Sequence, residues 1–232
     1  MQESIRENNQ GSNQGNTKEI LSLQNAIISL VADLVEFRGY STGLHIGRTQ
    51  NYVRAFVDQL LSDGIYPDEM SDWDPDAIVP SAQLHDLGKI YISDSILNKT
   101  GVLTPEEFEI MKTHAQRGAE AITRIENLGD YSRFIFHARA FAGTHHERWD
   151  GAGYPHGMSG LEIPLEGRIM AIVDVYDALV SDRPYKRAFH TEEAARIIID
   201  GAGSHFDPVL VSTFDKLADE FATIAGSYRA WT

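Results

Sequence analysis

Seven side chains with metal-ligand chemistry are scattered along this chain, and they restrict its fold more than any other feature. They are His45, the adjacent pair His85-Asp86, His114, the adjacent pair His145-His146, and Asp174. Five of them stand in windows otherwise rich in Ala, Ile, Leu, Val or Phe. An unpaired polar side chain in such a setting costs free energy unless something binds it. The set reads as a metal site, so the chain must fold to bring distant segments to one point.

Bulk properties leave that reading room. The chain has no cysteine, which excludes disulfides, Cys-ligated zinc and thiol catalysis together. A reducing compartment is compatible with this, and the expected location is the cytoplasm. Neither a signal peptide nor a run of about 18 apolar residues is present, so no membrane contact is expected of this segment. The net charge of -14 argues against a nucleic-acid polymer as partner, because that calls for a basic face. A small phosphate ligand remains compatible, since bound divalent metals supply local positive charge.

Residues 1–17 are polar and carry no apolar period, which reads as a disordered leader or linker. A helix over 18–40 follows, with Ile20, Leu23, Ile27, Leu30, Leu34 and Phe37 spaced by three and four. This heptad seam suits a core-facing helix. It suits equally a coiled-coil connector from a missing N-terminal sensory or receiver domain, or a homodimer seam, and its length does not decide. Residues 41–225 read as one all-α domain, because no segment sustains period-two alternation. Expected helices run from about Thr42 to Ser62, from Thr104 through His114, from Ser132 to Glu147, from Gly167 to Ser181, and from Thr191. Thr104-Pro105-Glu106-Glu107 is a capping box with proline in the first turn. Residues 63–77 form an acidic loop, and 148–166, with four glycines and two prolines, form an ordered turn-rich one.

Adjacent residues on a helix differ by about 100°, so His85-Asp86 and His145-His146 can each address neighbouring metals or share one. Seven candidate ligands exceed the three protein ligands of a typical mononuclear catalytic zinc site. Imidazole and carboxylate without thiolate suit iron, manganese or zinc. A carboxylate bridging two metals about 3.5–4 Å apart would clamp a phosphoryl oxygen and generate a hydroxide nucleophile, and Asp86 is the best bridge. Any one histidine taken alone reads as a core or surface residue, and His137, His156, His190 and His205 stay in that class.

The motifs around these residues resemble the HD-GYP family. They are His85-Asp86-Leu87-Gly88-Lys89, Leu103-Thr104-Pro105-Glu106-Glu107, and His145-His146-Glu147-Arg148-Trp149-Asp150-Gly151-Ala152-Gly153-Tyr154-Pro155. Ala171 to Leu179, Ser181-Asp182-Arg183-Pro184-Tyr185-Lys186 and Gly201 to Pro208 continue the likeness, which covers about residues 20–220. The family is all-α, binds two or three metals, commonly iron or manganese, and hydrolyses cyclic di-GMP to the linear dinucleotide and, in some members, to GMP. The resemblance implies His45, His85, Asp86, His114, His145, His146 and Asp174 as metal ligands, with Asp86 and Lys89 catalytic. Lys89 would sit beside the attacked phosphate and Tyr154 would shape the substrate pocket. Arg183 and Lys186 would hold substrate phosphates, an assignment that suits a guanidinium fork and a compact ammonium. Asp177 would either meet a guanine edge or orient a ligand.

One departure bears on the metal count. Family members with a third metal usually carry Glu four residues before the first ligand histidine, where this chain has Ser41. A hydroxyl is a poor ligand for iron or manganese beside a carboxylate. Two divalent ions are therefore expected, iron or manganese, with zinc, nickel or magnesium as alternatives in purified protein. Glu36, two helical turns before His45, compensates only if the chain bends between them. A smaller departure is Thr144, where many members have a further histidine. The expected partner is a small cyclic dinucleotide. The competing readings are a phosphohydrolase of another cyclic dinucleotide or nucleotide, and a weakly catalytic module docking partners through the loop after His146.

Overall fold

The computed structural model describes Glu19, residues 22–23, 25–39, 44–126, 132–182 and 187–229. The leader, Ser41, Arg183 and Lys186 lie outside the described residues. Among those described the chain is helical, with an isolated bridge between Ala202 and Phe206 and no strand. Helix α1 covers 25–38, and α2 (His45–Asp63), α3 (Pro75–Ser81), α4 (Asp94–Leu97), α5 (Pro105–Glu126) and α6 (Ser132–Thr144) follow. Then come α7 (Leu165–Val180), α8 (Thr191–Asp200) and α9 (Pro208–Arg229).

Local chemistry sets the boundaries that matter for the site. Glu107 accepts from Thr104 N at 2.7 Å and donates its own N–H to Thr104 Oγ1 at 3.2 Å, so the capping box starts α5 as expected. Asp74 caps α3 by accepting from Asp76 N at 3.0 Å, with Pro75 in the first turn. Pro80 lies inside α3 and cannot donate to its ladder, and the chain passes into the short 3₁₀ turns Ala82–Leu84 and Leu87–Tyr91. His85-Asp86 falls between those turns. Asp207 caps α9, accepting from Val209 N at 2.8 Å, while its other oxygen receives Arg168 Nη1 at 2.9 Å and Tyr66 Oη at 2.8 Å.

Helix α7 is buried nearly all round and forms the centre of the main core with α2 and α9. Tyr52, Phe56, Tyr176, Phe214 and Phe221 pack there, with Tyr52 and Phe221 stacked at 4.4 Å. Each such ring stabilises the fold by about 1.5–3 kcal/mol through burial. A smaller cluster of Leu84, Ile122, Ile135, Ala138 and Ala142 joins α5 and α6 to the turn before His85, and Ile28 of α1 packs against it. Thr144, to which the sequence assigns no role, hydrogen-bonds Ala140 O at 2.6 Å and lies against Gly167 where α6 crosses α7.

The core-facing reading does not hold for the heptad seam of the N-terminal helix. Leu23, Ile27, Leu30, Leu34 and Phe37 face solvent, Phe37 at 83% exposure, whereas Ala32, Val35 and Glu36 are buried. The narrower inner stripe, with Ile28, docks α1, and the heptad seam points away from the domain.

Candidate metal centre

The seven expected ligands converge. His45 is the first residue of α2, His85 and Asp86 lie between two 3₁₀ turns, and His114 is in mid-α5. His145 and His146 follow the end of α6, and Asp174 is in α7. Their ligand atoms fall into two groups, Asp86 with His114, His145 and His146, and His45 with His85 and Asp174; within each group the atoms lie within 4.8 Å of one another.

Asp86 stands between these groups. Its Oδ1 is 3.3 Å from His114 Nε2 and 3.7 Å from His145 Nε2, while Oδ2 is 3.3 Å from His85 Nε2. Oδ1 is buried and has no hydrogen-bond partner. Across the other group, His45 Nε2 is 3.4 Å from His85 Nε2 and 3.9 Å from Asp174 Oδ1.

The imidazoles are oriented from behind. His85 Nδ1 faces Ala82 O at 2.9 Å, His114 Nδ1 faces Met111 O at 2.8 Å, and His145 Nδ1 faces Phe141 O at 3.0 Å. A carbonyl can only accept, so each Nδ1 carries a proton and each Nε2 is the atom aimed at the centre, offering a lone pair whenever it is unprotonated. His45 uses a carboxylate instead, donating from Nδ1 to Asp177 Oδ2 at 2.7 Å. Asp177 is buried, and Arg48 grips it through Nε to Oδ1 at 2.5 Å and Nη2 to Oδ2 at 2.9 Å. Of the two roles considered for Asp177, this geometry matches orienting a ligand. Asp177 is buried and already accepts three hydrogen bonds, which leaves little of it for a guanine edge.

Charge in the centre is distributed unevenly. Burial lowers the His85 pKa, but the adjacent Asp86 carboxylate outweighs it and pushes the imidazole up to about 9. Burial also disfavours the Asp86 anion, yet Lys89 and His85 hold its carboxyl well below the usual carboxylate range. Lys89 Nζ lies 2.5 Å from Asp86 Oδ2, and against burial that contact raises the ammonium pKa. His145 is lowered by burial and then by His146, and His146, chiefly through burial, falls to about 4. Those two rings are therefore neutral at neutral pH, the form that ligates metal. Imidazoles, two carboxylates, no thiolate and an unpartnered Asp86 oxygen suit divalent iron, manganese or zinc.

Above the centre is a cavity of about 410 Å³ lined by Lys89, Met111, His146, Tyr154 and Asp182, within the range of small-ligand sites. The Tyr154 ring lies 4.7 Å from that of His146, and Lys112 Nζ is 5.8 Å from its centroid. The loop carrying Tyr154 is fastened underneath by buried Glu147, which accepts from His156 N at 2.7 Å and Met158 N at 3.1 Å. Gly153 permits a close turn, since a Cβ there would meet Arg148 N at 2.4 Å.

Two supporting residues are missing from the sequence-derived set. Arg48 lies one turn after His45 and Glu147 directly after His146, so proximity to a ligand was their available signal. Glu36 was considered only on condition of a bend before His45, and its ligand atom lies within 4.8 Å of those of His45 and Asp86.

The chain matches the family model described as HD domain over residues 44–210. A cyclic di-GMP phosphodiesterase of Vibrio cholerae serotype O1 is 46% identical over 204 residues, covering 88% of this chain and 41% of that protein. A cyclic di-GMP phosphodiesterase of Thermotoga maritima is 37% identical over 198 residues, covering 85% of this chain and 50% of that protein. A 3'3'-cGAMP-specific phosphodiesterase of Vibrio cholerae is also 37% identical, over 197 residues, covering 85% of this chain and 35% of that protein. The chain spans half or less of the length of these three relatives.

Proposed function

Because the chain belongs to the HD domain family and carries its HD-GYP motifs, we propose that it is a metal-dependent phosphodiesterase hydrolysing cyclic di-GMP. The observation that carries this reading is Asp86, with one carboxylate oxygen toward each of two histidine groups. In the proposed assignment His45, His85 and Asp174 hold one ion, His114, His145 and His146 hold another, and Asp86 spans both. Iron or manganese is the proposed metal. Such ions supply Lewis-acid charge to phosphoryl oxygens and activate water as a nucleophile.

The chain's own groups then do the rest. Lys89 keeps its proton, as its raised pKa requires, and serves as a fixed positive charge beside a phosphate docked over Asp86. An ammonium so held is a poor base, which leaves it to stabilise the departing 3′-oxygen. Tyr154 forms an apolar wall at the cavity mouth, and Asp177 with Arg48 keeps His45 aimed at the centre. Arg183 and Lys186 are assigned to the substrate phosphates from their motif. The proposed product is the linear dinucleotide, with onward hydrolysis to GMP.

The relative named for 3'3'-cGAMP favours a second substrate, the mixed cyclic dinucleotide. Comparing turnover of both cyclic dinucleotides, with products separated by chromatography, tests the choice. The proposed place of action is the cytoplasm, and among the described residues no helix is long and apolar enough to cross a membrane. The solvent-facing seam of α1 supports homodimerisation through that helix, or continuation into an N-terminal input domain. Asp86→Ala tests the centre itself: metal content and turnover should be lost while the circular dichroism of the fold is kept. Normal iron or manganese content with normal turnover in that variant would refute the assignment.

A further inference from the structure

A carboxylate outside the expected ligand set faces the same centre. Glu36 lies on the inner side of α1 at 5% exposure, and its Oε1 is buried without a hydrogen-bond partner. Lys89 Nζ is 3.7 Å from that oxygen, but the same ammonium is 2.5 Å from Asp86 Oδ2. Two buried carboxylates thus share one ammonium, which lies closer to Asp86 and leaves the Glu36 oxygen without a hydrogen-bond donor. The ligand atoms of Glu36, His45 and Asp86 lie within 4.8 Å of one another, so a cation at the His45 edge would be in reach of all three.

We propose that Glu36 is an eighth metal ligand, joining the position served by His45, His85 and Asp174, and that α1 delivers it. An ion of Glu36's own is disfavoured by donor count. His45 has one free nitrogen because Asp177 holds the other, and each Asp86 oxygen already faces one histidine group. Glu36 would be the sole donor not in use elsewhere. Added to the His45 position it makes five protein donors with Asp86, leaving one place in an octahedral shell for solvent or substrate.

The delivery has a consequence for loading. Glu36 comes from a helix that is separate from those carrying the other ligands, and Arg38 fastens the end of that helix. The Arg38 guanidinium donates to Ile90 O at 2.8 Å, to Ile92 O at 3.2 Å and to Asp94 Oδ1 at 2.7 Å, all just beyond Lys89. Occupancy of the His45 position is therefore tied to docking of α1, whose opposite face is the exposed apolar seam. This extends the metal-centre reading above and rests on it.

The test is calorimetric titration of manganese into chelator-stripped protein, with manganese paramagnetic resonance on the loaded samples. Wild type should take two ions. Glu36→Gln, nearly isosteric but uncharged, should weaken one site about tenfold or more and leave the other within about twofold. Arg38→Ala should weaken that same site by a smaller factor, and melting of the metal-free proteins checks that each variant folds. Both affinities within about twofold of wild type in Glu36→Gln would overturn the proposal. So would three ions in wild type falling to two in Glu36→Gln, which would give Glu36 an ion of its own. A wild type that binds no manganese, iron or zinc would overturn the metal-centre reading as well.

Discussion

Gly88→Ala should damage the fold and the metal centre in one step. Gly88 lies in the 3₁₀ turn after Asp86 and presses against α5 at the level of His114 and Gly118. A Cβ at Gly88 would stand 1.8 Å from the His114 carbonyl oxygen, 2.8 Å from its carbonyl carbon and 2.6 Å from Gly118 N. None of these is the end of a flexible side chain. A carbon–oxygen contact relaxes near about 3.3 Å, so α5 must retreat or the turn must lift by about 1.5 Å. Overpacking costs about 1–3 kcal/mol where side chains yield, and here backbone must yield, so a loss of about 3 kcal/mol or more is expected. With a urea slope of about 2 kcal/mol/M, the unfolding midpoint of the metal-free protein should fall by about 1.5 M. Metal affinity should fall with it, because the same movement separates Asp86, two residues before, from His114, whose own carbonyl is struck. Gly101→Ala is the control, since nothing lies within 4 Å of a Cβ there, and it should stay within about 0.5 kcal/mol of wild type. A Gly88→Ala protein as stable as that control, with full manganese content, would refute the close-approach argument.

Arg48→Ala strips Asp177 of its guanidinium and leaves a buried carboxylate facing His45. Stability should drop by about 3 kcal/mol and metal affinity by about tenfold or more, measured by urea melts and manganese titration; an unchanged affinity would remove the positioning role. Arg183→Ala should raise KM for a cyclic dinucleotide far more than for a generic aryl phosphodiester, and equal effects on both would sink the phosphate-clamp assignment. At the loop carrying Tyr154, the Arg148 contact holds the Asp150 carboxyl down to about 2. Because the folded value is depressed, the contact acts at pH above about 3.9, the unfolded value, and is lost as pH falls through about 2. Arg148→Ala should return the Asp150 carboxyl toward the ordinary range in an NMR titration, and a value still near 2 would assign the shift to Ala152 N–H instead.

The seven residues that converge were legible because five of them are polar residues in apolar windows, and the capping box at Thr104 marked the start of α5 in advance. Four features were not legible, for different reasons. The seam of α1 has the strongest apolar period in its helix, yet the weaker stripe of Ala32 and Val35 docks, because small residues allow the close approach that carries Glu36 inward. The start of helix α3 was read as part of the acidic loop over 63–77, because Pro80 interrupts its pattern. Helix α9 was not marked out, although Asp207 caps it, because the sequence reading took Gly201 to Pro208 as a motif and stopped there. The role of Asp177 was left between two readings because sequence spacing cannot show that Arg48, one turn along a different helix, already occupies it.

The two halves of the centre are chemically unequal, and the inequality follows from how the fold orients each ring. His85, His114 and His145 lean on backbone carbonyls, which cannot be exchanged by substitution and carry no charge. His45 leans on a carboxylate, and that carboxylate is neutralised by Arg48 rather than by solvent. The group of His114, His145 and His146 faces one carboxylate oxygen of Asp86, whereas the His45 group has Asp174, the second Asp86 oxygen and, within reach, Glu36. Carboxylate favours harder ions and imidazole is more accommodating, so ions bound at the two positions would be held by unlike donor sets. The overall charge of -14 therefore does not oppose a polyanionic substrate. The acidic residues nearest the centre face the positions the ions would take, and in the proposed reaction ions so held, with Lys89, would present a positive face to the phosphate.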